Sequence, residues 1–173
     1  MTTTARKVLD DCNVALKDLN TREAWGNTFR TRWVSAIALL RAVGHVLDKR
    51  DTKINMYYRN AIDEAYTDLK KSKPEPRIYW GFIDAERNNI LKVYEFGTKG
   101  VITVRPGTTS INLSTGEQKI VAESQETTYE NFLIGGPLEN STPVEAVSIA
   151  IEWWSDYLDK IDQEAARLKE LDT

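Results

Sequence analysis

Glu86 and Arg87 stand side by side in the stretch "ERNNILKVYEF" at 86–96, among neighbours that are mostly apolar or aromatic. Placed on a helix at about 100° per residue, residues 79–94 put Tyr79, Ile83, Ile90, Leu91 and Tyr94 on one broad face. Glu86 and Arg87 fall inside that face, while Asp84, Asn88 and Lys92 fall on the other side. A carboxylate and a guanidinium directed toward an apolar interior cost free energy unless they are paired or solvated in a cleft. Two chemistries fit. One is a buried ion pair or hydrogen-bonded anchor joining this helix to another, and the other is a polar cleft in which Arg87 receives a phosphate or carboxylate.

A second lane of polar residues matches it. Arg30, Val34, Ile37, Arg41, His45 and Asp48 advance by three or four residues, so two arginines, the only histidine and an aspartate line one side of an otherwise apolar helix. His45 lies one turn after Arg41. It reads either as a satisfied core residue or as a proton carrier beside a cationic site. The Arg-Asn pair recurs at Arg59 and Asn60 in "YYRNAIDE", where Glu64 follows and a solvated helix surface is expected. The seven tyrosines and five tryptophans could stack on bases, but at helical spacing next to apolar residues they read as core.

The elements that must position these residues follow from hydrophobic periodicity. Val8, Leu9, Cys12, Ala15, Leu16 and Leu19 mark a first helix over 3–20, after a threonine-rich start able to cap it. A second helix over 24–50 is apolar around most of its circumference between Trp33 and Leu47 and should be the most buried. Asp51 or Thr52 can cap a third, with Ile54, Tyr58, Ile62, Ala65 and Leu69 inward. "SKPEP" breaks it, and a fourth helix over 77–96 ends at Gly97. Residues 100–130 change to β-branched runs with glycine and proline turns, "STGE" lying between two of them, which predicts a β-hairpin of two or three short strands. Such a hairpin is marginal alone in water and should lean on the helices or on a second copy of the chain. A last helix opens with Thr142 as cap, Pro143 in its first turn and Glu145 completing a capping box, and carries Val147, Ile151, Trp154, Leu158 and Ile161 as its stripe. The expected fold is mainly α: one domain over 1–173, a five-helix bundle with a small β-hairpin inserted before the last helix.

Composition narrows the function. The chain has 173 residues, 41% hydrophobic, with a net charge of −3, which argues against a nucleic-acid binder driven by bulk charge. Local charge is uneven. Residues 21–77 carry twelve Lys or Arg against seven acids, and residues 143–173 carry three against eight, so a basic and an acidic face are expected. One cysteine and one histidine leave no cysteine-rich or histidine-cluster metal site, and no cofactor is implied. Neither a signal peptide nor a membrane span is visible, which points to a soluble cytoplasmic protein. No P-loop, nucleophile elbow or HExxH motif occurs.

The segment "ERNNILKVY" resembles the signature region of the HEPN superfamily, helical bundles whose local pattern in many members is RNxxxHxY. Arg87 and Asn88 match its start and Tyr94 its end, with Lys92 at the histidine position. "RWVSAIALLRAVGHVLDK" and "IYWGFIDAERNNILKVYEF" are also similar to a group of uncharacterised bacterial helical proteins, so the resemblance covers about residues 30–96. It implies metal-independent RNA cleavage at a homodimer cleft, the arginine stabilising phosphate and the histidine moving the ribose hydroxyl proton. Lysine titrates at about 10.4 against about 6.5 for histidine, so a lysine at that position offers a fixed charge to a phosphate and not a base. The expectation is a degenerate site that binds RNA or a nucleotide phosphate through Arg87, Asn88, Lys92, Arg41 and Glu86. The alternatives are a working ribonuclease using Arg87 and His45, or an interaction protein whose internal charges lock helices together.

Overall fold

The computed structural model describes residues 1–21, 26–105, 109–111, 118–120 and 126–172. Among them are five α-helices: α1 (Thr3–Leu19), α2 (Gly26–Lys49), α3 (Met56–Lys71), α4 (Ala85–Val93) and α5 (Pro143–Leu171). Between α4 and α5 the chain forms strands β1 (Thr98–Arg105), β2 (Thr109–Ile111), β3 (Gln118–Ile120) and β4 (Glu126–Leu133). β1 pairs antiparallel with β4, and β2 with β3. The architecture is therefore the expected mainly helical bundle with an antiparallel hairpin before the last helix, though with four strand segments; the "STGE" turn lies outside the described residues.

α2 packs against each of the other four helices. Trp33, Ala36, Leu40 and Val43 on it are wholly buried, as its apolar circumference predicts. α5 brings Val147, Trp154, Leu158 and Ile161 to the same core, with Ile151 half-buried at its margin. The capping box at its start is present: the Thr142 side chain accepts from the Glu145 amide at 3.2 Å, and the Glu145 carboxylate accepts from the Thr142 amide at 2.8 Å.

Two helix starts depart from expectation. Thr2 makes no side-chain cap on α1. Its role is taken by Asp51, buried in a 3₁₀ turn (Asp51–Lys53) after α2, whose carboxylate accepts the Thr4 and Ala5 amides at 3.0 and 2.9 Å. An anion at the free amides of a helix start satisfies orphan donors and faces the positive end of the helix dipole. The cap of α3 is instead Asn55, accepting from the Tyr58 amide. Ile54 is exposed as a result, and Tyr58 is only half-buried.

The fourth helix departs most. Residues Ile78–Asp84 form a π-helical turn, and regular α-geometry begins only at Ala85. The wider turn changes the angular advance per residue, so a face drawn at constant α-spacing across 79–94 drifts out of register. Tyr79, Phe82, Ile83, Glu86 and Ile90 are buried, whereas Leu91 and Tyr94 are 58% and 68% exposed. The helix also stops early, at Tyr94, which adopts a left-handed conformation (φ 54°). Gly97 is thus not its cap.

The hairpin touches the bundle at its base. Leu133 is buried, the Ile134 amide donates to the Gly97 carbonyl at 2.8 Å, and the Leu133 amide donates to the Ser141 carbonyl at 2.9 Å. Farther out, Ile102, Val104 and Tyr129 are exposed.

Candidate functional site

Glu86 and Arg87 leave α4 in different directions. Glu86, 7% exposed, accepts from the Trp33 indole Nε1 at 2.8 Å and from the Gly97 amide at 3.0 Å, both at Oε1. A side chain at 97 would bring its Cβ within 2.6 Å of Glu86 Oε2, so glycine is what lets the backbone reach the carboxylate. Glu86 therefore ties α2, α4 and the hairpin base together, and does not pair with Arg87.

Arg87 turns toward α2. Its Nη1 donates to Asn88 Oδ1 at 3.0 Å, and Asn88 Nδ2 donates to Asp84 Oδ2 at 3.1 Å. Asp84 Oδ1 in turn lies 3.3 Å from Arg41 Nε, near enough for charge attraction but not aligned for a hydrogen bond, so Nε is left buried without a hydrogen-bond acceptor. The Arg41 guanidinium also lies over the Tyr79 ring at 5.9 Å. Asp84 and Asn88 are thus half-buried links between the two arginines, not members of a far solvent face. The π-turn, which ends at Asp84, is the reason.

Arg41 and His45 of α2 and Arg87 and Leu91 of α4 border one open groove of about 300 Å³ floored by Ala38 and Ala42. The two alanines keep the floor low. Among the described residues Arg87 ion-pairs with no carboxylate, and the groove lining contains none. With one aspartate behind two guanidiniums, the groove carries net positive charge, which favours phosphate or carboxylate groups. His45 is exposed at its edge. Of the sequence candidates, Arg41, His45 and Arg87 come together, Asn88 holds Arg87 from behind, and Glu86 faces elsewhere. Lys92 is exposed and does not line the groove. Arg30, in the same lane of α2, pairs with Asn27 away from the site.

Tyr66, Tyr79, Trp154 and Tyr157, which the sequence places among aromatic residues read as core and not as site residues, gather on the other side of Arg41 around a second cavity. One signal was available. Gly44 lies in mid-helix, where glycine is unfavourable unless something approaches closely, and a Cβ there would lie 2.8 Å from Trp154 Cη2. Among the described residues no group of three or more His, Cys, Asp or Glu could hold a metal ion, and no helix is long and apolar enough to cross a membrane.

No family model, curated protein or solved structure matches this chain.

Proposed function

We propose that this chain is a HEPN-like protein with a degenerate site, which binds RNA or a nucleotide through a phosphate held in the groove of Arg41, His45 and Arg87, without efficient cleavage. The observation that carries this reading is that both guanidiniums border one open groove whose lining includes no carboxylate. Inefficient turnover follows from the chemistry at hand: Lys92 occupies the histidine position of the RNxxxHxY pattern and is outside the groove, and a single histidine supplies one proton carrier where base and acid are both needed. The resemblance implies a homodimer, in which two such grooves could face one strand.

A second reading is favoured by the common placement of His45 and Arg87. If His45 takes the ribose hydroxyl proton while Arg87 and Arg41 stabilise the phosphorane charge, the protein is a metal-independent ribonuclease with a relocated base. A purely structural role accounts well for Glu86 but leaves Arg87 without a counter-charge.

The test is binding and cleavage of labelled transfer RNA and total RNA in EDTA. Expected are salt-sensitive binding, no turnover, and an affinity loss of about tenfold for Arg87→Ala, the size of one charge-assisted hydrogen bond. Lys92→Ala should change affinity little. Cleavage abolished by both Arg87→Ala and His45→Ala would replace the first reading with the second. Binding unaffected by Arg87→Ala would overturn both.

A further inference from the structure

Arg41 and His45 border two spaces. Behind the phosphate groove lies a more enclosed chamber of about 330 Å³, within the range of about 300–1,000 Å³ usual for small-molecule sites. Tyr66, Tyr79, Trp154 and Tyr157 contribute aromatic surface to its wall, and Ile62 and Leu69 apolar surface. Trp154 and Tyr79 cross edge-on with ring centroids 5.8 Å apart, and Trp154 and Tyr157 do so at 5.7 Å.

The wall also holds two unsatisfied donors. Trp154 is 1% exposed, and its Nε1 has no hydrogen-bond partner; the Arg41 Nε is in the same condition. Buried N–H groups without acceptors are destabilising and uncommon. Both atoms are closed off from the cavity surface, the Arg41 Nε against Asp84 Oδ1 at 3.3 Å, so what the chamber offers a ligand is its aromatic and apolar wall. Burial pushes the Tyr79 and Tyr157 phenols up from their usual range, so both remain protonated.

Charge separates the two spaces. The groove lining has no carboxylate, whereas the chamber lining includes the exposed Asp48 and Asp63. Asp48 is paired with Lys49. In the chamber lining Asp48 and Asp63 offset Lys49 and Arg41, whereas the groove has two guanidiniums and no carboxylate, so a phosphate favours the groove. A neutral ring has no such preference, and an exocyclic amine could donate to Asp63.

We infer that the chamber takes the base of a nucleotide, a flat heteroaromatic ring, whose phosphate lies in the adjoining groove. This rests on the phosphate reading of that groove. Arg41 is the shared partition, serving the phosphate on one side and the ring on the other. Aromatic faces give stacking that tolerates different bases.

Calorimetric titration of the intact protein with the four nucleoside 5′-monophosphates, adenosine and ribose 5-phosphate tests this. At least one nucleotide should bind about tenfold or more tightly than ribose 5-phosphate. Tyr66→Ala, a change at an exposed ring that leaves the core intact, should erase most of that preference without altering ribose 5-phosphate binding or the unfolding midpoint. Arg87→Ala should weaken every phosphate-bearing ligand alike. Equal binding of nucleotides and ribose 5-phosphate would overturn the chamber assignment and leave the phosphate reading standing. Adenosine binding as tightly as its monophosphate, with no effect of Arg87→Ala, would keep the ring in the chamber and overturn the phosphate reading. Absence of binding by all six ligands at millimolar concentration would overturn both.

Discussion

The adjacent charges Glu86 and Arg87 have opposite fates, and the reason is what each side chain meets. Glu86 meets two N–H donors, the Trp33 indole and the Gly97 amide, and a buried carboxylate that accepts two such bonds is stable without a cation nearby. Arg87 meets an amide oxygen and open space. Truncating Glu86 would strand both donors, so Glu86→Ala is expected to cost about 2–4 kcal/mol, a range set by unsatisfied buried groups, seen as a lower urea midpoint. Glu86→Gln, which keeps an acceptor oxygen, should cost clearly less. Arg87→Ala should leave the midpoint nearly unchanged. A larger loss for Arg87→Ala than for Glu86→Ala would reverse these assignments. The presence of a polar residue on an inner face was legible from periodicity. Which of the two charges was satisfied was not, because Trp33 and Gly97 lie far from Glu86 along the chain and only packing brings them to it.

Among the elements, those whose signals are local were legible. The Thr142-Pro143-Glu145 start of α5 is a case where three positions within four residues carry all the chemistry of the cap. Asp51 is the contrary case. From the chain it reads as a cap for the helix that follows, yet its carboxylate closes the start of α1, 46 and 47 residues away. Asp51→Ala is expected to destabilise the protein by about 2–4 kcal/mol, more than an exposed cap, since two helix amides lose a buried charged acceptor. Hydrogen exchange should show the loss concentrated in the first turns of α1; uniform loss across all helices would argue against a capping role. The π-turn at Ile78–Asp84 is the other element no periodicity announced. It places Asp84 beside Arg41 and shifts the register of the residues that follow, leaving Leu91 and Tyr94 at the surface.

At the scale of the whole molecule, several protons are held by burial in one core. The Cys12 thiol on α1 is pushed by burial from its usual 9.0 to about 12, and the phenols of Tyr79 and Tyr157 are raised for the same reason. The unfolded chain releases these protons at lower pH than the folded one. Their contribution to stability is therefore complete below pH 9.0 and is lost progressively as pH rises toward about 12. Urea midpoints should be flat from neutral pH to about 8.5 and fall above 9, with the fall reduced in Cys12→Ala; an alkaline fall of the same size in that variant would show that Cys12 is not among its causes. Helix number, the inserted hairpin and the inward stripes of α1, α2 and α5 were determined by the sequence itself, because periodicity and capping act between residues a few positions apart. Tertiary structure alone decided that Arg41, His45 and Arg87 share a groove, that Lys92 stands outside it, and that an aromatic chamber lies behind Arg41. Those relations join residues from separate elements, and they depend on how α2, the π-turn, α4 and α5 pack, which no spacing along one helix records.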